Sequence, residues 1–193
     1  MPDGGTTFKD HMFRFVDLPS MFDYRFVTAD TSYKEKQEND FTVFSHWGVI
    51  GEQLYLIDVW MRQIKAYDVE AEVEPFVRAA INYGYRYTWI EPKGHGIYLN
   101  TAFGRKGLHI PDEDMLKDFF SDRRFDKVER ANNVAPHLSN RFVAINNCIA
   151  NKEDLVAQCL GFPKAKHDDF VDTLIDALKL TYNRELSTLD LFM

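Results

Sequence analysis

Carboxylates occur at three chain-distant places where hydrolytic chemistry could be built. Asp30 follows the apolar run 24–29, Glu91 follows the run 85–90, and a third group lies within the acidic stretch 167–172. Clustered carboxylates repel one another, so such a cluster makes physical sense mainly where it holds hard divalent cations such as Mg²⁺, which prefer oxygen ligands. Two such ions roughly 3.5–4 Å apart can activate a water and stabilise the leaving oxygen of a phosphodiester. We therefore predict a metal-dependent nuclease site.

The third group offers several carboxylates, and the sequence leaves the choice among them open. Asp168 and Asp172 are four residues apart and share a helix face, while Asp169 and Asp172 are three apart. Ordinary structural roles also fit, because Asp168 or Asp169 could cap a helix, and a solvated face would account for Asp172 and Asp176. His167 could orient a carboxylate or a water, although a half-buried structural histidine explains it as well.

The remaining two carboxylates must be brought together by the sheet. The β-branched and aromatic run 24–30 predicts a first strand, followed by a polar loop to residue 40, and the run 85–92 predicts a fourth strand. If these two strands are parallel neighbours, Asp30 and Glu91 stand side by side at one sheet edge, where α/β folds place their sites. Taken alone, each could still be a turn residue or a structurally partnered carboxylate.

The remaining elements complete an α/β fold. Hydrophobic periodicity predicts two further strands antiparallel to the first, then helices alternating with strands, which makes a mixed sheet flanked by helices. The predicted strands are 24–30, 41–48, 53–60, 85–92, 108–110 and 141–145, and the predicted helices are 67–83, 97–103, 112–120, 127–138, 152–160 and 167–182.

Charge bears on the class of partner. A net charge of −7 counts against a protein that coats nucleic acid by bulk electrostatics, because phosphate binding normally needs a basic surface. The objection weakens if bound cations cancel the acidic site and the positive charge is grouped elsewhere. Lys127 and Arg130, three apart on a predicted helix, are the strongest pair for phosphate contact, whereas Arg123 and Arg124 are interleaved with acids and are better explained as solvated charges. No Gly-x4-Gly-Lys-Ser/Thr loop for ATP is present.

Five fragments in order resemble one family. They are 27–32 with 39–43, then 54–59, 89–91, 126–131 and 167–172, and together they extend over roughly residues 13–182. In order and spacing they resemble the nuclease domain of the large terminase subunit of tailed bacteriophages, which has a ribonuclease H-like fold. A packaging ATPase, which precedes this domain in the family, is missing here, so we expect a single nuclease domain over residues 1–193 with flexible ends.

The resemblance implies an activity and a set of site residues. It implies an endonuclease that cuts concatemeric double-stranded viral DNA during packaging, in the host cytoplasm, with the packaging ATPase, the small terminase subunit and the portal as partners and no membrane. Asp30, Glu91 and Asp168 or Asp169 would hold two Mg²⁺ or Mn²⁺ ions, with Asp169 the catalytic candidate of the last helix and Asp172 a further ligand. Lys127 and Arg130 would lie near the DNA path. Another ribonuclease H-like nuclease, such as a junction resolvase or a hybrid nuclease, and a catalytically silent DNA-binding or assembly module remain alternatives.

Overall fold

A six-stranded mixed sheet forms the centre of the molecule. The computed structural model describes residues 7–31 and 41–182, so the predicted polar loop over 32–40 and the predicted flexible ends lie outside the described residues. The sheet order is β1-β6-β4-β3-β2-β5. The strands are β1 (Phe13–Val16), β2 (Tyr24–Thr31), β3 (Thr42–Ile50), β4 (Gln53–Arg62), β5 (Tyr85–Ile90) and β6 (Val143–Asn146).

Strand directions follow the predicted scheme. β2, β3 and β4 pair antiparallel in sequence, β5 pairs parallel with β2, and β6 pairs parallel with both β4 and β1. The predicted fold class is therefore confirmed: three antiparallel strands are followed by parallel strands in one α/β sheet. The parallel strands β5 and β6 lie on opposite sides of the antiparallel trio.

Six α-helices cover the two faces. Asp112 and Asp126 cap the third and fourth of them, because each aspartate accepts a hydrogen bond from a backbone N–H three residues on. No helix in the described part of the chain has the length and apolar character that a membrane crossing requires. The helices are α1 (Ala66–Ala80), α2 (His95–Arg105), α3 (Glu113–Phe119), α4 (Lys127–Val134), α5 (Lys152–Gly161) and α6 (Asp169–Tyr182), with short 3-10 helices at 10–12, 120–124 and 135–138.

The helices form one layer on each face of the sheet. Successive strand residues point to opposite faces, so each face of β2 and β3 carries its own apolar set. On one side Val27 and Phe44 pack with α1 and α2. On the other side Phe26 and Trp47 pack with the four later helices. α6 is buried on nearly all sides, since every residue from 169 to 178 is buried.

Two short segments differ from the sequence-based prediction. β1 is not predicted, because its four residues are too few to give a recognisable strand pattern. The stretch 108–110, predicted as a strand, is irregular, and its His109 has a φ of 51°, in the left-handed region. Its carbonyl accepts one bond from the Thr88 N–H at 2.9 Å, so the segment touches the outer edge of β5 without continuing the ladder.

A row of polar side chains interrupts the apolar face that α1 covers. We call Arg25, His46, Asp58 and Asn146 the polar row; they stand on β2, β3, β4 and β6, and His46 pairs directly across from Asp58. The row lines a cavity of about 430 Å³ beside Phe76 of α1. His46 is only 6% exposed, and its Nε2 has no hydrogen-bond partner within residues 7–31 and 41–182. Burial, with the nearby Arg25 charge, lowers the pKa of His46 to about 3, so the imidazole is neutral.

Candidate active site

Asp30 and Glu91 leave the sheet as neighbours. β2 and β5 are parallel, and their last paired residues are Ala29 and Ile90. The next residues along each strand are the two carboxylates. Because Ala29 and Ile90 both face the layer formed by α1 and α2, strand alternation turns the carboxylates toward the opposite layer, which contains α6. The condition under which Asp30 and Glu91 stand side by side, that these two strands are parallel neighbours, is therefore met.

The turn after β5 fixes the backbone of Glu91. The Lys93 N–H donates to the Glu91 carbonyl at 2.8 Å, and the Asn100 side chain donates to the Ile90 carbonyl at 2.9 Å. A Cβ at Gly96 would lie 2.0 Å from the Glu91 carbonyl oxygen, so the second residue of α2 has to be glycine. Glu91 is thus held between the end of a strand and the start of a helix.

α6 is anchored to the sheet by neutral hydrogen bonds next to its acidic residues. The Thr28 hydroxyl donates to the Thr173 carbonyl at 2.9 Å and accepts from Trp47 Nε1 at 2.8 Å. The Thr173 hydroxyl donates to the Phe170 carbonyl, so the Ser45 hydroxyl, 2.8 Å away, is the donor to Thr173. This set of bonds fixes the rotation and height of α6 against β2 and β3, and with them the direction of its carboxylates.

Asp169 and Asp172 on α6 come close to Asp30. Asp169 and Asp172 are each 9% exposed. Burial and the nearby carboxylates of Asp172 and Asp169 raise the pKa of Asp30 well above its ordinary value, while Lys127 and Arg123 partly offset that rise. Asp30, Asp169 and Asp172, three of the five candidate metal ligands, are therefore close enough for their charges to interact.

Three basic side chains are interleaved with these carboxylates. They come from the 3-10 helix at 120–124 and from α4, which together border α6. Arg123 contacts Glu91 (Nε to Oε2, 3.2 Å) and Asp176 (Nη2 to Oδ2, 2.7 Å), Lys127 contacts Asp168 (Nζ to Oδ1, 3.0 Å) and Asp172 (Nζ to Oδ2, 2.6 Å), and Arg130 contacts Asp172 (Nη2 to Oδ1, 2.8 Å).

These ion pairs keep Asp172 ionised. Burial opposes its charge, but Lys127, Arg130 and Arg123 together hold the pKa of Asp172 below its ordinary value. In turn, and in spite of burial, Asp172 and Asp168 raise the pKa of Lys127. Lys127 and Arg130 were predicted to contact DNA; Lys127 is partly exposed, whereas Arg130 is only 7% exposed and lies inside the acidic cluster.

Sequence reasoning missed Arg123 and Asp176. Both were attributed to solvated surfaces, but Asp176 is 1% exposed and the Arg123 side chain is 16% exposed. Burial raises the pKa of Asp176 to about 6, although Arg123 opposes the rise. The available signal was helical spacing, because Asp176 lies one turn beyond Asp172 on a helix that is apolar on its other sides. The structural alternative, in which a solvated helix face accounts for Asp172 and Asp176, is wrong.

His167 and Asp168 lie at the rim of the site. His167 Nδ1 is 4.0 Å from Asp169 Oδ2, and its ring meets Phe41 edge-on at a centroid distance of 5.5 Å. Asp168 is joined to the cluster through Lys127. Together with Glu91, which is joined through Arg123, these residues surround the central group of Asp30, Asp169 and Asp172.

The donor chemistry suits a hard divalent cation. Within residues 7–31 and 41–182, no group of three or more His, Cys, Asp or Glu side chains is already arranged around a metal position. Glu91, Asp168 and Asp172 contact the chain's own ammonium and guanidinium groups instead. The type of donor still fits, because carboxylate oxygens are the ligands Mg²⁺ and Mn²⁺ prefer, and the pKa of Asp30 is raised by burial and by the carboxylates of Asp172 and Asp169, whose repulsion an added cation would relieve.

Comparison with known proteins identifies the fold. No family model matches this chain, and neither does any curated protein sequence. Solved structures of the large terminase from a thermophilic bacteriophage do match. One crystal form aligns with a TM-score of 0.62 at 14% identity and covers 91% of this chain and 44% of that one. The complex with ATP-gamma-S aligns with a TM-score of 0.60 at 13% identity and covers 86% of this chain and 42% of that one.

The match spans less than half of the large terminase chain, and the low identity limits it to the fold. The six-stranded mixed sheet and its flanking helices correspond to one part of that phage protein. The chain therefore shares the α/β fold of that part of the large terminase, and it carries a carboxylate cluster at the ends of β2 and β5.

Proposed function

We propose that the chain is a metal-dependent endonuclease that hydrolyses phosphodiester bonds of double-stranded DNA. The observation that carries the proposal is the convergence of Asp30 and the α6 carboxylates, with Glu91 beside them, on a terminase-like fold. Carboxylates from two strand ends and one helix are a donor set for divalent cations, and α/β folds place their sites at such strand ends.

The chain's own residues would have distinct tasks. Asp30, Glu91, Asp169 and Asp172, with Asp168 at the rim, would hold two Mg²⁺ or Mn²⁺ ions. When bound, such ions activate water for attack and stabilise the leaving oxygen. Arg123 positions Glu91 by bridging it to the buried Asp176. His167, beside Asp169, is placed to orient that carboxylate.

Cutting of concatemeric viral DNA during packaging in the host cytoplasm extends the same proposal. The matching phage structures are of a large terminase, one of them bound to ATP-gamma-S and one to ADP. By analogy, a packaging ATPase, a small terminase subunit and a portal would be the partners, with double-stranded DNA as substrate. A junction resolvase or hybrid nuclease would use similar carboxylates, so the preferred substrate has to be measured.

A catalytically silent DNA-binding or assembly module is the rival function. One observation favours it: Glu91, Asp168 and Asp172 are already paired with basic side chains, and the described residues contain no preformed metal group. In such a module the acidic cluster would be purely structural. DNA would then bind without being cut in any divalent metal.

Nicking of supercoiled plasmid separates the two functions. We expect nicking by the wild type in Mn²⁺ or Mg²⁺, and a rate about 100-fold or more lower in Asp30→Asn, which keeps the shape but removes a charge needed in the transition state. Asp118→Asn, on the exposed side of α3, removes one carboxylate away from the site and should leave the rate unchanged. Duplex, hybrid and four-way-junction substrates compared in parallel identify the substrate class.

Retained nicking in Asp30→Asn would remove Asp30 from the mechanism. Wild-type protein that binds duplex DNA but never nicks it would favour the silent module.

A further inference from the structure

Lys127 occupies a position that a cation would otherwise take. Its ammonium lies 2.6 Å from Asp172 Oδ2 and 3.0 Å from Asp168 Oδ1. Both carboxylates belong to the proposed metal-binding set. A divalent cation bound by the same oxygens would lie within a few ångströms of this ammonium, where like charges repel strongly in a partly buried setting.

The three basic side chains of the cluster differ in their freedom to leave it. The Arg130 side chain is 7% exposed and the Arg123 side chain 16%, and both carry planar guanidinium groups fixed by their fork geometry. The Lys127 side chain is 25% exposed, and it is the first residue of α4. Its flexible four-carbon stem lets the ammonium turn outward while α4 stays in place.

Asp172 would keep a counter-ion after such a movement. Arg130 Nη2 lies 2.8 Å from Asp172 Oδ1, the carboxylate oxygen that Lys127 does not contact. Asp168 is 35% exposed at its side chain, so water can solvate it once the ammonium leaves. Lys127 is therefore the cation of the cluster that can be released without leaving a buried charge unpaired.

We propose that Lys127 is a displaceable internal counter-ion that holds Asp168 and Asp172 in the metal-free protein and moves to a DNA phosphate when the divalent cation enters. This inference rests on the proposed nuclease function and adds a regulation to it. Metal and DNA then assist each other, because each favours the outward position of the same side chain. By thermodynamic linkage the factor by which DNA tightens metal binding equals the factor by which metal tightens DNA binding.

The first measurement is a titration with Mn²⁺ in the absence of DNA. Electron paramagnetic resonance of the free ion reports how much Mn²⁺ is bound. Lys127→Met keeps the apolar stem and removes the competing charge, so we expect it to bind Mn²⁺ about fivefold or more tightly than the wild type, the lower end of typical coupling between sites. Lys127→Arg keeps the charge and should bind as the wild type does. Lys117→Met is the matched control, because it removes one lysine of an exposed ion pair with Glu113 on α3.

The second measurement repeats the titration with a saturating short duplex whose phosphorothioate linkages resist hydrolysis. We expect DNA to tighten Mn²⁺ binding severalfold in the wild type and much less in Lys127→Met. Circular dichroism establishes that each variant is folded, and Lys127→Gln replaces Lys127→Met if that variant is not.

The outcomes separate the two proposals. Equal Mn²⁺ affinity in the wild type and the folded Lys127 variants would overturn the counter-ion role while leaving the nuclease proposal intact. An equal gain in Lys117→Met would also overturn it, since the effect would then be one of net charge. Absence of Mn²⁺ binding in every variant, with and without DNA, would overturn the metal site itself.

Discussion

The two faces of the sheet handle buried polar groups in different ways. At the carboxylate cluster, charge is retained and compensated: Asp172 is held ionised by Lys127, Arg130 and Arg123. At the polar row on the other face, the buried His46 is neutral, because burial and the Arg25 charge lower its pKa to about 3. The free energy of unfolding should therefore respond to substitution mainly at the carboxylate cluster, where basic partners compensate the charge. It should respond to acid mainly at the polar row, where His46 is buried in its neutral form.

Removal of Arg130 should give the largest effect. Arg130→Met leaves Lys127 as the remaining ion-pair partner of Asp172 among the described residues, and the loss of a hydrogen bond between two charged groups costs up to about 3 kcal/mol of unfolding free energy. Urea denaturation measures the change. Arg78→Met, in an exposed pair with Glu74, is the control and should cost less than about 1 kcal/mol. Equal losses for the two variants would mean that the cluster is no more interdependent than a surface pair.

Acid should lower the free energy of unfolding through His46 in the polar row. The pKa of His46 is depressed in the folded state, so as pH falls through about 6.5 the unfolded chain takes up a proton that the folded chain does not, and stability is lost toward pH 3. Between pH 7 and pH 5 this amounts to about 2 kcal/mol. His46→Gln removes the titrating group, so its urea-unfolding free energy should depend less on pH by that amount, with Arg25 and Asp58 still present. Parallel pH profiles for wild type and variant would contradict the prediction.

The neutral bonds under α6 provide a reference without charge. Thr173→Val removes the acceptor of the buried Ser45 hydroxyl and should cost about 1 kcal/mol by urea denaturation. Because the Thr28 hydroxyl bonds the Thr173 carbonyl, that contact survives the change. Thr101→Val, on the exposed face of α2, is the matched control and should be near neutral. A loss as large as that of Arg130→Met would show that position, rather than charge, sets the sensitivity of the cluster.

Arg25 should show the smallest effect. Among the described residues no carboxylate forms an ion pair with it, and its guanidinium lies 5.0 Å from the Phe22 ring centroid. Arg25→Met should therefore cost less than about 1 kcal/mol in urea denaturation. Since the Arg25 charge lowers the pKa of His46, the variant should also raise that pKa, which NMR titration detects. If Arg25→Met lost as much unfolding free energy as Arg130→Met, the polar row would be as sensitive to substitution as the carboxylate cluster, contrary to the prediction.

The positions of the carboxylates could be predicted from the sequence because each is marked by a pattern in its immediate neighbours. Asp30 and Glu91 each follow an apolar run. The connection from β4 through α1 to β5 favours a β5 that is parallel to β4, and therefore also to β2. Periodicity likewise located the start of α6 within two residues, at Asp169 instead of His167.

The basic partners of these carboxylates could not be predicted from the sequence, because their contacts join residues that are far apart in the chain. Arg123 stands between Asp122 and Arg124, a pattern typical of solvated charge, yet it contacts Asp176, 53 residues away. Lys127 and Arg130 have the helical spacing of an exposed basic face, whereas Arg130 is buried against α6. Spacing gives the relative direction of two side chains but not the element that covers them.

The near-complete burial of α6 bears on the order in which the site is assembled during synthesis. The segments that carry Asp30 and Glu91 leave the ribosome well before α6, which follows all six strands of the described residues. Until α6 docks, Trp47 lacks its stacking contact with Phe170, and Asp30 and Glu91 lack the carboxylates of α6. Completion of the core and completion of the carboxylate cluster are therefore the same late event, so a partly made chain lacks the assembled cluster.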